Sequence, residues 1–183
     1  AVSFSIFSTG FFGMLINLVL IFGFQIVYGY LYYQIGILIT AFMAGIAAGS
    51  ILMTAYLRRI RKGYPVFLCL EFLIICLAVT IPLLIAGFNQ ALFLVFCFAA
   101  GSLVGAEFPL ANQIYLRSPD KLGSSAGLLY SADLLGGWLA GMLGGIVFLP
   151  VLGLFKTCLV IVILKTCTLV MLFISGKDLI VEK

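Results

Sequence analysis

Asp133 and Lys165 are the two residues whose chemistry and position stand out most in this sequence. Each carries a formal charge near the middle of a stretch that is otherwise almost wholly apolar. On insertion scales, a charge at the centre of a membrane helix costs about 2.5–3.5 kcal/mol, so such charges are usually paired and often functional. Both lie about ten positions, or about 15 Å, from the same edge of the membrane. We therefore predict a buried, structural ion pair between them on two consecutive antiparallel helices.

Glu71 and Glu107 are two further charged residues in apolar segments, and they lie closer to the membrane edge than Asp133 and Lys165. Each lies about seven positions, or about 10 Å, from the membrane edge, and Glu107 precedes Phe108 and Pro109. Proline kinks a helix and frees a backbone carbonyl, and a carboxylate at such a bend is typical of a polar cavity. Two carboxylates at one depth can share a proton or face a cation. Alternatively, each is neutral or is capped by a neighbouring hydroxyl or arginine.

The composition around these charges is that of an integral membrane protein. Hydrophobic residues make up 64% of the 183 residues and charged residues 9%, with a mean hydropathy of +1.32. A soluble domain carries about 25% charged residues. No stretch here is polar enough to form a separate soluble catalytic domain, so we do not expect enzyme activity. Nothing in the charge pattern indicates nucleic-acid binding.

Six apolar segments have the length of about 20 residues that a helix needs to cross a bilayer. They are residues 4–27, 35–56, 65–86, 91–114, 124–149 and 154–174. The sequence thus predicts an all-α fold, a polytopic membrane protein with a single six-helix transmembrane domain over residues 1–183. The first segment lacks the flanking features of a signal peptide, so we interpret it as a span. Because residue 1 is alanine, we expect processing or a fragment of a longer polypeptide.

The basic residues predict the orientation of these helices. Eight of them fall in the second connection, the fourth connection and the C-terminal tail: Arg58, Arg59, Arg61, Lys62, Arg117, Lys121, Lys177 and Lys183. With six spans these positions share one side of the membrane, and the other side has only Lys156. By the positive-inside rule, both termini are predicted to be cytoplasmic.

Glycines spaced four residues apart predict close helix packing. Small residues at this spacing let helix backbones approach each other in lipid. The glycines in question are Gly45 and Gly49 in the second segment, Gly101 and Gly105 in the fourth, and Gly137, Gly141 and Gly145 in the fifth. An adjoining stripe of the fifth segment has Gly136, Ala140 and Gly144. We interpret these glycines as packing residues, not as a ligand site, and expect the fifth helix, with its two smooth faces, to lie centrally.

Neither a metal site nor a cofactor is predicted. The five cysteines all lie in apolar runs, where cysteine behaves as a small hydrophobic residue. None forms a Cys-x-x-Cys pair, and the chain has no histidine to complete a metal-ligand set.

Two stretches of the sequence carry recognisable motifs. The first includes Gly10-Phe-Phe-Gly-Met and Ala41-Phe-Met-Ala-Gly-Ile-Ala-Ala-Gly-Ser, and the second includes Gly105-Ala-Glu-Phe-Pro-Leu and Gly127-Leu-Leu-Tyr-Ser-Ala-Asp-Leu-Leu-Gly. Together they resemble the membrane portion of bacterial proteins that fuse a major-facilitator-like helix bundle to a spermidine-synthase-like domain. The resemblance covers nearly all of the chain and preserves the order of the motifs.

The resemblance implies half of a major-facilitator-like bundle in the bacterial cytoplasmic (inner) membrane. It also implies a polyamine as a possible ligand. The aminopropyltransferase half, with its glycine-rich nucleotide loop, is not present in this sequence, so the resemblance implies no catalytic residues here.

Three functions are consistent with these observations. In the first, the chain is a non-catalytic membrane subunit or anchor within a larger assembly, in contact with lipid and with other membrane subunits. In the second, it is half of a polyamine or cation transporter that uses its intramembrane carboxylates and requires a second six-helix half. In the third, it supports a separate aminopropyltransferase-like enzyme.

Overall fold

The computed structural model describes residues 2–29, 32–57, 63–84, 87, 89–115 and 122–181, and these contain helices and no strand. The helices are α1 (Val2–Tyr28), α2 (Tyr32–Leu57), α3 (Gly63–Leu84), α4 (Gln90–Tyr115), α5 (Leu122–Leu143) and α6 (Gly153–Val181), with a π-helical segment at Gly144–Leu152. The all-α prediction is confirmed. Apart from Lys156 and Lys177, the basic residues that predict the orientation lie outside the described residues.

Within the described residues, five helical stretches are long and apolar enough to cross a membrane. Four correspond to α1, α2, α3 and α4. The fifth runs from Ala126 to Ile174, through α5, the π-helical segment and α6. By length and composition, these helices therefore support a multi-pass membrane protein.

The π-helical segment replaces the end of the predicted fifth span. Its sequence contains Pro150, which has no backbone N–H and cannot continue a regular α-helical ladder. Gly153 ends the segment with φ 75° and ψ 175°, and its N–H bonds to the carbonyl of Leu149. A positive φ costs glycine little because glycine has no Cβ. The π-helical segment that follows α5 therefore ends at this glycine, and α6 begins there.

Helices α3 and α6 pack antiparallel along much of their length. The Tyr64 hydroxyl donates to the carbonyl of Leu172, Glu71 pairs with Lys165, and Ala78 and Cys158 line one groove. Each contact lies about two helical turns from the previous one on both helices. This register puts Glu71 and Lys165 at the same depth in the bundle.

The packing pattern has an internal symmetry. Helix α1 packs against α5 as α4 packs against α2, and α1 packs against α6 as α4 packs against α3. If α1, α2 and α3 are exchanged for α4, α5 and α6 in that order, the same pairs of helices are in contact. Thr9 bonds with Glu107 and Gly13 packs on Val104, so α1 and α4 run in opposite directions. The first three helices and the last three are thus related by an inverted exchange of their packing contacts.

Helix α1, and not α5, is the central helix. Fifteen of its residues are buried, which is more than the structure gives for any other helix. Phe12, Leu15 and Ile16 are completely inaccessible, and they belong to the larger of two hydrophobic clusters. The expectation of a central fifth helix is therefore wrong. Small residues on α5 do not place it at the centre, because they serve its contact with α1 alone.

Glycines bring α2 and α4 into backbone contact. A Cβ at Gly45 would overlap the carbonyl oxygen of Phe98, and one at Gly49 would overlap that of Ser102. From the other side, Gly101 and Gly105 lie against the carbonyls of two α2 residues, Phe42 and Ile46. The two helices run parallel through this crossing, and each contributes its pair of glycines.

Replacing Gly49 with alanine should therefore destabilise the protein by about 1–2 kcal/mol, because an added methyl at a tight contact forces the helices apart. Unfolding in mixed micelles of mild detergent and dodecyl sulfate measures this effect. Gly36→Ala is the matched control, since Gly36 lies on the same helix with nothing within 4 Å of the added Cβ. Equal stabilities for the two variants would contradict the role assigned to Gly49.

The closest approach of α5 to α1 involves Gly136, on the second of the two stripes of small residues predicted for the fifth segment. A Cβ at Gly136 would overlap the carbonyl of Phe7, and one at Gly10 would overlap that of Asp133. Gly137 has only the Gly10 carbonyl nearby, at 3.7 Å, and Gly141 contacts the flexible side chain of Met14. A Cβ at Gly145 would meet nothing within 4 Å. The stripe that lies against α1 is thus the one that contains Gly136.

Candidate functional site: a buried cluster of charges

Lys165 lies at the centre of a buried cluster that joins three helices. Its Nζ on α6 is 3.0 Å from Oε2 of Glu71 on α3 and 3.6 Å from Oε2 of Glu107 on α4. All three side chains are completely inaccessible to solvent. The structure thus brings the two carboxylates that the sequence placed at one depth to either side of a single ammonium group.

Two hydroxyls from α1 complete the cluster. Ser5 Oγ donates to Oε1 of Glu71. Thr9 Oγ1 accepts a hydrogen bond from Lys165 Nζ at 2.7 Å and is bonded to Oε2 of Glu107. The Lys165 Nζ also lies 6.0 Å from the centre of the Phe12 ring, a distance at which an ammonium is still attracted by an aromatic face. The central helix therefore supplies both polar partners and an aromatic wall.

Thr9 has one hydroxyl proton and two acceptors within reach. Its Oγ1 lies 2.9 Å from the carbonyl oxygen of Ser5, one turn earlier in α1, and is also bonded to the Glu107 carboxyl. A hydroxyl donates a single proton. Thr9 can donate to an ionised Glu107, or it can donate to Ser5 and accept a proton from a protonated Glu107. The hydroxyl can therefore serve either protonation state of Glu107.

The two glutamates are not equally supported. Both carboxylate oxygens of Glu71 have a hydrogen-bond donor, from Ser5 and from Lys165. Oε1 of Glu107 is buried without a hydrogen-bond partner among the described residues. The hydrogen-bond donors of the cluster therefore satisfy the Glu71 carboxyl more fully than the Glu107 carboxyl.

The charges of the cluster do not cancel if both carboxylates are ionised. Two carboxylates and one ammonium leave a net charge of −1 inside the protein, and an uncompensated buried charge is strongly unfavourable. The balance requires one proton or one bound cation. Carboxylates that share a site in this way hold a proton that neither would hold alone.

The predicted ion pair between Asp133 and Lys165 is corrected by these contacts. Within the part of the chain that the structure describes, Lys165 pairs with Glu71 and Glu107 and makes no ion pair with Asp133. Consecutive helices are usually neighbours, but α5 packs on α1 whereas α6 packs on α3. Asp133 lies against Gly10 and Lys165 bonds to the adjacent Thr9, so Lys165 attracts Asp133 electrostatically without forming an ion pair with it.

Asp133 instead borders a separate cavity of about 190 Å³. This cavity lies between α1, α2, α4 and α5. Its lining residues include Thr9, Ser50, Phe108, Tyr130 and Asp133. Because Thr9 also contacts Lys165 and Glu107, a single hydroxyl lies between the cavity and the buried charges.

Sequence reasoning missed Ser5 and Thr9. They are four residues apart on one helix, a spacing that puts two side chains on the same face. The signal available in the sequence was the pair of hydroxyl-bearing residues on one face of an apolar helix. That signal is not specific, because serine and threonine in membrane helices can also bond to their own backbone. Ser8 does so here, with its Oγ 2.7 Å from the carbonyl of Ser5.

The cysteines add no further site to the buried cluster. All five cysteines are free, with Cys97 and Cys158 buried.

Comparison with protein-family models, with curated proteins and with solved structures finds no match to this chain. The resemblance to the membrane portion of spermidine-synthase-like fusion proteins therefore stays a prediction, and the case for function depends on the cluster itself.

Proposed function

We propose that this chain is a non-catalytic, six-span membrane subunit whose buried Glu71–Lys165–Glu107 cluster holds one exchangeable proton. In this proposal it forms half of a proton- or cation-coupled transporter and requires a second six-helix half. The observation that carries the proposal is the imbalance of two buried carboxylates against one ammonium. A purely structural pair would need only one carboxylate for the same lysine.

Six crossings are supported by the direction of the helices. A straight helix from Ala126 to Ile174 would be about 73 Å long, more than twice the bilayer core of about 30 Å. Helix α5 runs parallel to α1, because Gly10 lies beside Gly137 and Met14 beside Gly141. Helix α6 runs antiparallel to α3.

Helices α1 and α3 share a direction, which completes the argument for a reversal. Gly63, at the start of α3, contacts Ile114 near the end of α4, and Thr9, near the start of α1, bonds to Glu107 in the last third of α4. The chain therefore reverses between α5 and α6, as two spans require. With the positive-inside rule, we propose that both termini lie in the cytoplasm, and with the family resemblance we propose that the membrane is the bacterial inner membrane.

The cluster exchanges its proton through Glu107. When Glu107 is protonated, the cluster is neutral and Thr9 donates to the carbonyl of Ser5. When the proton leaves, Thr9 turns its hydroxyl toward the new carboxylate, and a cation must arrive to restore the balance of charge. The cavity beside Thr9 is the route by which either species reaches the cluster, since that residue lines both. Alternating proton and cation at one site is a basis for coupled transport.

Proton flux across proteoliposomes tests this function. The protein, with any subunit that co-purifies, is reconstituted with a fluorescent pH dye inside the vesicles, and a pH gradient is imposed. Glu107→Gln should slow dissipation of the gradient at least tenfold, because the amide cannot exchange a proton. Thr166→Val is the control, since Thr166 is exposed on α6 and bonds only to its own helix.

Wild-type vesicles that dissipate the gradient no faster than protein-free vesicles would contradict the transport function. Equal rates for wild type and Glu107→Gln would contradict the role of this carboxylate. Mass spectrometry of the assembly extracted in mild detergent checks the stoichiometry, for which the proposal requires a second half.

A further inference from the structure

The cavity beside Asp133 is distinct from the buried charge cluster. It has a volume of about 190 Å³ and lies between four helices. Two of its lining residues carry aliphatic hydroxyls, Thr9 and Ser50, and two are aromatic, Phe108 and Tyr130. The remaining wall is apolar and consists of Ile6, Ile46, Val104 and Gly105. One carboxylate, that of Asp133, borders this otherwise uncharged space.

The Asp133 carboxylate makes no ion pair among the described residues. Lys165 attracts it only at longer range, and that lysine is already shared by two glutamates. A carboxylate at membrane depth is costly without a counter-charge. A positively charged ligand in the cavity would supply one. The chemistry of the site therefore favours a cation over an anion or a neutral molecule.

The aromatic pair narrows the class of cation. Phe108 and Tyr130 meet edge to face, with their ring centres 6.4 Å apart. Aromatic faces attract ammonium groups, most strongly when water is excluded. The aliphatic side chains opposite can pack against methylene groups but cannot replace the hydration shell of a small metal ion. This combination suits an organic ammonium with a short alkyl chain.

We propose that this cavity binds an organic ammonium ion, with Asp133 as its counter-ion and Phe108 and Tyr130 as its aromatic wall. A water molecule occupies about 30 Å³ in the liquid, so the space holds a ligand of about six non-hydrogen atoms. The hydroxyls of Thr9 and Ser50 can accept hydrogen bonds from the ammonium. This site does not depend on the proposed transport function, although a bound cation would lie next to Thr9 and so beside the proton-holding cluster.

The test uses the purified full chain in lipid nanodiscs and n-butylammonium as the probe. Isothermal titration calorimetry should show saturable binding to the wild type. Asp133→Asn should weaken it at least tenfold, because the counter-charge is lost. Tyr130→Ala should weaken it about threefold and Tyr130→Phe should have little effect, because the aromatic face is kept. Thr166→Val should bind like the wild type.

Neutral 1-butanol, which has the same number of non-hydrogen atoms as the probe, is the ligand control. Equal affinities for wild type and Asp133→Asn, or equal binding of the alcohol and the ammonium, would overturn the proposed site. If Asp133→Asn fails to fold, the contrast between Tyr130→Ala and Tyr130→Phe decides, and equal binding by these two variants would overturn it.

Proton release distinguishes this inference from the proposed function. If the ammonium site and the proton-holding cluster are both present, n-butylammonium should release a proton from the wild type into weakly buffered solution. Glu107→Gln should bind the probe without releasing a proton. Saturable, Asp133-dependent binding without proton release supports the ammonium site and contradicts the coupling.

Discussion

Lys165→Met should lower the free energy of unfolding by about 3–5 kcal/mol, because it leaves the ionised carboxylate of the cluster in the interior without its counter-charge. The methionine has a similar length and would keep the packing against Phe12, so the loss reports the charge and not a cavity. Equilibrium unfolding in mixed micelles, followed by far-ultraviolet circular dichroism, measures the effect. A loss below about 1 kcal/mol would contradict the arrangement of the cluster.

A second substitution identifies the partner of this lysine. Glu71→Gln added to Lys165→Met leaves one carboxyl, which is neutral when protonated, so stability should largely recover. Asp133→Asn added to the same variant should not restore it, because Asp133 makes no ion pair with Lys165. The reverse result would favour the pair expected from sequence. Such a cycle isolates the coupling between two residues in contact.

Glu71→Gln alone should cost about 2–3 kcal/mol, and Glu107→Gln less than about 1 kcal/mol. Glu71 makes the shorter contact with the ammonium, and both its oxygens have donors. Glu107 is farther from the lysine and already has one oxygen without a partner among the described residues. The two variants have the same chemistry, so each is the matched control for the other. Equal losses in the unfolding measurement would contradict the unequal support described for the two glutamates.

Much of the fold could be predicted from the sequence because apolar length determines a membrane helix. The predicted second segment, for example, lies within α2, Tyr32–Leu57. The glycines of α2 and α4 were also predictable, since four-residue spacing places small residues on one face of a helix. The reason is local in each case: the signal and the structure depend on neighbouring positions in the chain.

The partner of Lys165 could not be predicted in the same way. Helix pairing depends on which faces fit together, and no local pattern in α5 or α6 shows that α1 comes between them. The membrane depths estimated from the sequence differ by about 5 Å between Glu71 and Lys165. In the structure, the register of α3 against α6 puts the two residues at the same depth. The depth estimate was wrong because the end of a span is hard to locate from hydropathy: Tyr64 at the start of α3 bonds to Leu172, so the predicted end at residue 174 lies beyond the level at which α3 starts. The two glutamates predicted at one depth do meet in the structure, but the sequence did not indicate that Lys165 lies between them.

The central claim is that the cluster holds one proton, and infrared spectroscopy of the protein in nanodiscs at neutral pH tests it most directly. The carbonyl stretch of a protonated carboxylic acid is separate from that of a carboxylate and shifts in D₂O. We predict such a band in the wild type and in Asp133→Asn. It should vanish in both Glu71→Gln and Glu107→Gln, because each variant leaves one carboxylate to balance one ammonium. A wild-type spectrum without the band, or an undiminished band in both glutamine variants, would contradict the claim.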